Sequence, residues 1–148
     1  MLKRSASALA VLALLATPAR AADQIRIGFL SNLSGPFAVL GEEMQRGLDL
    51  ALEHLGGKIG GLPTVIERVD TKGKPDIAVE AVSKFVDRDK VQIVTGIVLS
   101  SEFNAIGKQL NDKGVFVVSG NSGTAMFSGK QCLPNIFVAS FHNDTVGD

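Results

Sequence analysis

Five short apolar runs recur along this chain, and the segments that separate the first four carry helical periodicity. Residues 24–30 (Gln-Ile-Arg-Ile-Gly-Phe-Leu), 64–70, 91–96, 115–119 and 135–140 are rich in Val, Ile, Phe and Leu and too short for helices, so each predicts a strand. Between them Met44, Gly47, Leu48, Ala51, Leu52 and Leu55 fall at helical spacing. So do Ile77, Ala78, Ala81, Val82, Phe85 and Val86, and then Phe103, Ile106 and Leu110 in a third helix running from Ser101 to about Lys113. Glu42 and Glu43 fall in the first turn of the first helix, where the macrodipole favours acid, and Gly56-Gly57 stops it. Pro75 suits the start of the second helix, Gly114 ends the third, and residues 125–130 predict only a weak helical turn.

Strands that are apolar throughout, alternating with helices, imply a parallel sheet covered on both faces. Right-handed crossovers then give an α/β fold with an open, doubly wound sheet. A ligand site in such a sheet lies beyond the carboxyl ends of the strands, where the strand order reverses. The loops after strands one, three and four are therefore the ones to search.

The first 21 residues predict an export signal. Lys3 and Arg4 supply a positive start, Ala8 to Ala16 an apolar stretch, and Ala19-Arg20-Ala21 a small-x-small cleavage site. Thr17 and Pro18 end the apolar stretch well short of the about 17–25 residues that a membrane-spanning helix needs. Cleavage after residue 21 of 148 leaves 127 residues, one domain's worth of chain. The signal holds three of the fifteen basic residues, so twelve remain against fifteen acidic, a net charge of −3. That balance, with no Lys/Arg run, excludes a nucleic-acid footprint.

Catalytic constellations are missing from the pattern. The turn after strand one, Gly28 to Gly35, does not fit the Gly-x-Gly-x-x-Gly of a dinucleotide site. No phosphate loop, Gly-x-Ser-x-Gly elbow or His-Glu-x-x-His is present. His54 and His142 have no metal-ligand partner at helical spacing, and Cys132 is the only cysteine, so the sequence implies neither metal nor cofactor. What the strand-end loops do offer is capture of a small charged group. Ser100 and Ser101 open a helix whose first turn exposes N–H groups and a partial positive charge, which suits a carboxylate. The same serines read equally well as helix N-caps. Residues 119–123 (Ser-Gly-Asn-Ser-Gly) form a small polar segment in which Asn121 and nearby carbonyls can receive an ammonium, or else a Gly-rich turn that only ends a strand.

Four stretches in order resemble a known family: the export signal with residues 25–30, then 33–41 (Leu-Ser-Gly-Pro-Phe-Ala-Val-Leu-Gly), then 69–78 with its acid-loop-Pro-x-x-Ala step, then 94–101 (Val-Thr-Gly-Ile-Val-Leu-Ser-Ser). They are similar to the Leu/Ile/Val-type periplasmic substrate-binding proteins of ABC importers, over Ile25 to the end of the chain. The resemblance implies a type I periplasmic-binding fold and no catalysis. It also implies a monomer that hands an amino acid or related small carboxylate to an inner-membrane permease. By position, Ser100 and Ser101 would hold the ligand carboxylate, Asn121, Ser122 and Gly123 its ammonium and side chain, and Phe37, with the loop from Gly35, would wall the cleft. Gly96-Ile97 stands where many members have Gly-Pro, and residues 121–132 look like a sub-branch whose ligands include amides and aromatic carboxylates.

The resemblance further implies that residues 22–140 are the N-terminal lobe, still incomplete, and that 141–148 begin a hinge crossing to a second lobe. Cys132 would then pair with a cysteine of that second half or stay a free thiol. Two other readings share the lobe or its export: the ligand-sensing ectodomain of a receptor, and an exported α/β enzyme.

Overall fold

The computed structural model describes residues 23–140. The expected export signal (1–21) and hinge crossing (141–148) lie outside the described residues. The elements, in chain order, are β1 (Ile25–Ser31), α1 (Ala38–His54), β2 (Lys58–Ile59), β3 (Leu62–Asp70), α2 (Pro75–Lys84), β4 (Ile93–Thr95), α3 (Ser100–Asp112), β5 (Phe116–Ser119) and β6 (Ile136–Val138). All five strands read from the sequence form, and they pair in parallel in one sheet of order β2-β3-β1-β4-β5-β6. The chain steps from β1 to β3 on one side and then to β4 on the other, so the order reverses between β1 and β4, as the doubly wound reading requires.

Helix boundaries follow local chemistry. Pro75 occupies the first turn of α2, where its missing N–H costs no hydrogen bond. Beyond Lys84 the helix widens into a single π turn, Phe85–Asp89, and stops at Lys90 in the left-handed conformation. Residues 125–130 resolve into two 3-10 turns, Ala125–Phe127 and Gly129–Gln131. One boundary departs from expectation. The first helix begins at Ala38, not near Glu42, so no acid lies in its first turn and Glu42 instead pairs with Arg46 one turn on. Phe37 stands at its cap, directly after the Gly35-Pro36 turn, which lets the helix start early.

Among the described residues the two faces of the sheet are covered unequally. Leu30, Val94 and Val117 point into a core with Ala78, Ala81, Val82 and Phe85 from α2 and its π turn, and Phe103, Ile106 and Leu110 from α3. Both α2 and α3 therefore pack on the same face. On the opposite face the parallel register aligns Phe29, Thr95, Val118 and Phe137 in one row. Phe29 is 1% exposed, but Val118 is 40% and Phe137 52% exposed, and Phe116 beside them is 47%. Among the described residues, α1 is the helix left for that face. Met44, Leu48 and Leu52 are half-buried, and the Arg68–Asp49 ion pair fastens the helix to β3. Among the described residues, nothing covers the far end of the row at β5 and β6.

Candidate functional site

The carboxyl ends of β1 and β3 are joined by one carboxylate. Asp70 closes β3 and accepts hydrogen bonds from Leu33 N–H at 2.9 Å, Lys72 N–H at 2.9 Å and Ser34 Oγ–H at 2.6 Å. Thr71 N–H donates to the Ser31 carbonyl at 2.8 Å beside it. Partial burial works against the charged form, yet the Ser34 hydroxyl and the N–H groups of Lys72, Leu33 and Ser34 outweigh it and hold the acid below its ordinary range. A lowered pKa contributes stability that is present above the unfolded value and lost as pH falls through the folded one. Asp70→Asn is therefore expected to cost about 1–2 kcal/mol at neutral pH. The gap from the parent should shrink in acid, as read from urea midpoints at both pH values.

The loop from β1 then runs under α1. An added Cβ at Gly41 would lie 2.0 Å from the Asn32 carbonyl oxygen, so the helix approaches this loop as closely as a bare backbone permits. Gly41 N–H also donates to the Phe37 carbonyl at 3.3 Å, and the Phe37 ring is 42% exposed.

After β4 the chain turns at Gly96, with φ +90°, and buries Ile97 and Val98 before α3 begins. The cap position is Leu99, whose side chain makes no capping hydrogen bond, so neither serine acts as an N-cap. Ser100 and Ser101 are instead the first two helical residues, Ser100 half-buried and Ser101 exposed. Ser100 Oγ lies 3.1 Å from Ser122 Oγ. Asn121 Nδ2 donates to the Val98 carbonyl at 3.0 Å, and Ser119 Oγ–H to the Ser122 carbonyl at 2.7 Å. The loops after β4 and β5 are thus one hydrogen-bonded unit.

Of the six residues singled out by sequence, Ser100, Asn121 and Ser122 take part in those hydrogen bonds, and Ser101 and Gly123 adjoin them in the chain. The structure places Phe37 on a separate loop with no hydrogen bond or ring contact to them. Ser122 is 2% exposed and Gly123 is buried, while the Asn121 amide is engaged by the protein's own backbone. The sequence reading passed over Asn32, Thr71 and Glu102, all fully buried at the same strand ends. Glu102 was detectable, because a Glu at the third helical position is half of a capping box.

A sequence profile of periplasmic binding proteins matches residues 24–148. This chain belongs to the periplasmic binding protein family. A Leu/Ile/Val-binding protein of Rhizobium johnstonii is 31% identical over 138 residues, 92% of this chain and 37% of the relative. A solute-binding protein of an ABC transporter from R. palustris, solved with benzoate, superposes with a TM-score of 0.79 at 32% identity, over 84% of this chain and 34% of that one. A branched-chain amino acid transporter substrate-binding protein from Streptococcus pneumoniae, solved with isoleucine, gives 0.72 at 25% identity, over 80% and 34%. This periplasmic binding protein chain therefore spans about a third of the length of the solved proteins it resembles. Its family is one of substrate-binding proteins of transporters, not enzymes, and its α/β sheet is the type I fold of that family.

Proposed function

We propose that this chain forms one lobe of a two-lobed, monomeric solute-binding protein that works in the periplasm and delivers a small carboxylate-bearing solute to an ABC permease. The observation that carries the reading is the first turn of α3. The N–H groups of a helix start favour an anion, Ser100 and Ser101 bring hydroxyls to that turn, and the turn lies at the β1/β4 reversal. Benzoate and isoleucine, the ligands of two structural relatives, share a carboxylate and little else. Ser100 and Ser101 take that carboxylate. Ser122 holds Ser100 in place, Asn121 and Gly123 contact the rest of the solute, and Phe37 walls the cleft.

The test is the heat of binding of leucine, isoleucine, benzoate and uncharged benzamide to the full-length encoded protein and to Ser100→Ala. A hydrogen bond to a charged group contributes about 1.5–3 kcal/mol, so Ser100→Ala should weaken a bound carboxylate by about 10–150-fold. Benzamide, if bound, should lose less. Absence of binding by all four, or a variant whose carboxylate affinity is unchanged, overturns the reading.

A further inference from the structure

Glu102 is the third residue of α3 and is 0% exposed. Three loops converge on its carboxyl group. From the turn before α3 the Leu99 N–H, and from the loop after β3 the Thr71 hydroxyl, lie within hydrogen-bond reach. From the loop after β1 comes Asn32. With its amide oriented so that both ends are satisfied, Nδ2 donates to Glu102 Oε2 at 3.1 Å and Oδ1 accepts from Gly73 N–H at 2.5 Å. Glu102 Oε1 is buried with no partner.

The surroundings do not suit a negative charge. Among the described residues no Lys, Arg or His forms an ion pair with Glu102. The charged group that acts on it is Asp70, an acid of the same sign at the end of β3. Lys72 and Lys74 in the same loop are exposed, and the Ser31–Asn32 and Leu99–Ser101 segments bring no ionisable side chain. Burial raises the pKa of Glu102 and Asp70 raises it further, against the Thr71 and Leu99 hydrogen bonds.

Proton counting leads to the same conclusion. Thr71 Oγ–H already donates to the Ser31 carbonyl at 3.2 Å. An ionised Glu102 would compete with that carbonyl for the single hydroxyl proton. A carboxylic acid removes the conflict: its own O–H can donate to Thr71 Oγ while the Thr71 hydroxyl keeps donating to the Ser31 carbonyl.

We propose that Glu102 is a positioning residue kept as an uncharged carboxylic acid, fastening the loops after β1, β3 and β4 around the first turn of α3, so that its ionisation loosens all three. The fastening stands whatever the protein binds. For an anion on α3 it has a further merit, because a neutral acid at the third position leaves the partial charge of the helix start uncancelled.

The sign of the pH effect follows from linkage. A raised pKa contributes local stability that is complete below the ordinary Glu value and is lost as pH rises through the folded value. The experiment uses the full-length encoded protein and needs no ligand. Glu side-chain carboxyl carbons are labelled and followed by NMR against pH, with Glu102 assigned from Glu102→Gln. The Glu102 resonance should stay in its protonated position after the other glutamates have ionised; ionisation alongside or before them overturns the proposal. In parallel, amide exchange corrected for intrinsic rates is followed over residues 31–33, 71–74 and 99–103. Parent protection should fall by up to about tenfold per pH unit across that window, while Glu102→Gln keeps its protection throughout. An equal pH-dependent loss in Glu102→Gln overturns it as well. If the Proposed function is wrong, carboxylate binding fails and both readouts here stay unchanged.

Discussion

Phe85→Ala is expected to cost about 3–5 kcal/mol of folding stability, enough to remove much of the margin on which a domain of this size folds. The ring is wholly buried where α2 passes into its π turn, among Leu30, Val94 and Phe103. It lies directly on β1: a Cβ at Gly28 would be 2.6 Å from two of its carbons. The cavity left by alanine therefore faces a residue with no side chain to fill it, which places the loss toward the upper part of the range. Urea unfolding checks this, and a loss below about 1 kcal/mol would show that the site collapses. The same contact predicts coupling. Gly28→Ala is destabilising alone but less so in the Phe85→Ala background, a non-additivity that a double-mutant cycle reads.

Gly96→Ala should come next, at about 2–4 kcal/mol, because two penalties fall on one atom. The residue has φ +90°, and its Cβ would sit 2.6 Å from the Phe29 ring and 3.1 Å from the Leu30 carbonyl. Relief requires β4 to slide against β1, which carries the Ile97–Leu99 turn and the start of α3 with it. Gly120→Ala, in the neighbouring loop with nothing within 4 Å of the added carbon, is the control and should be close to neutral. Thermal midpoints of the two variants side by side decide the matter. Equal midpoints would mean that Gly96 is not what sets the approach of β4 to β1.

The sequence made the sheet legible because each of its long strands is an apolar run between turn residues, and burial on at least one face leaves that signature. It hid β2 for the opposite reason: Lys58 and Ile59 are too few to show a period. Their signal was the turn. Gly60 and Gly61 both take positive φ, and Ile59 pairs with Leu62 across them, the mark of a two-residue hairpin. The start of α1 was misplaced because Ala38, Val39 and Leu40 carry no cap residue, so the acids at 42 and 43 drew the boundary inward. At the site, Ser100 and Ser122 could be picked out as polar residues at strand ends, but their mutual hydrogen bond joins residues 22 apart. That contact depends on β4 and β5 being neighbours. The Glu102 cluster was harder still, since Asn32, Thr71 and Glu102 read singly as ordinary loop or helix residues and acquire meaning only when three loops meet.

The open end of the Phe29–Phe137 row has a practical consequence. With neither Trp nor Tyr, these 148 residues are almost invisible to near-ultraviolet spectroscopy. Among the described residues Phe137 is half-exposed and its ring already stands 6.3 Å from that of Phe116, so an indole can replace it without displacing the core. A tryptophan there would be the sole indole among these 148 residues. Its colour would report whether water or another surface lies against the sheet.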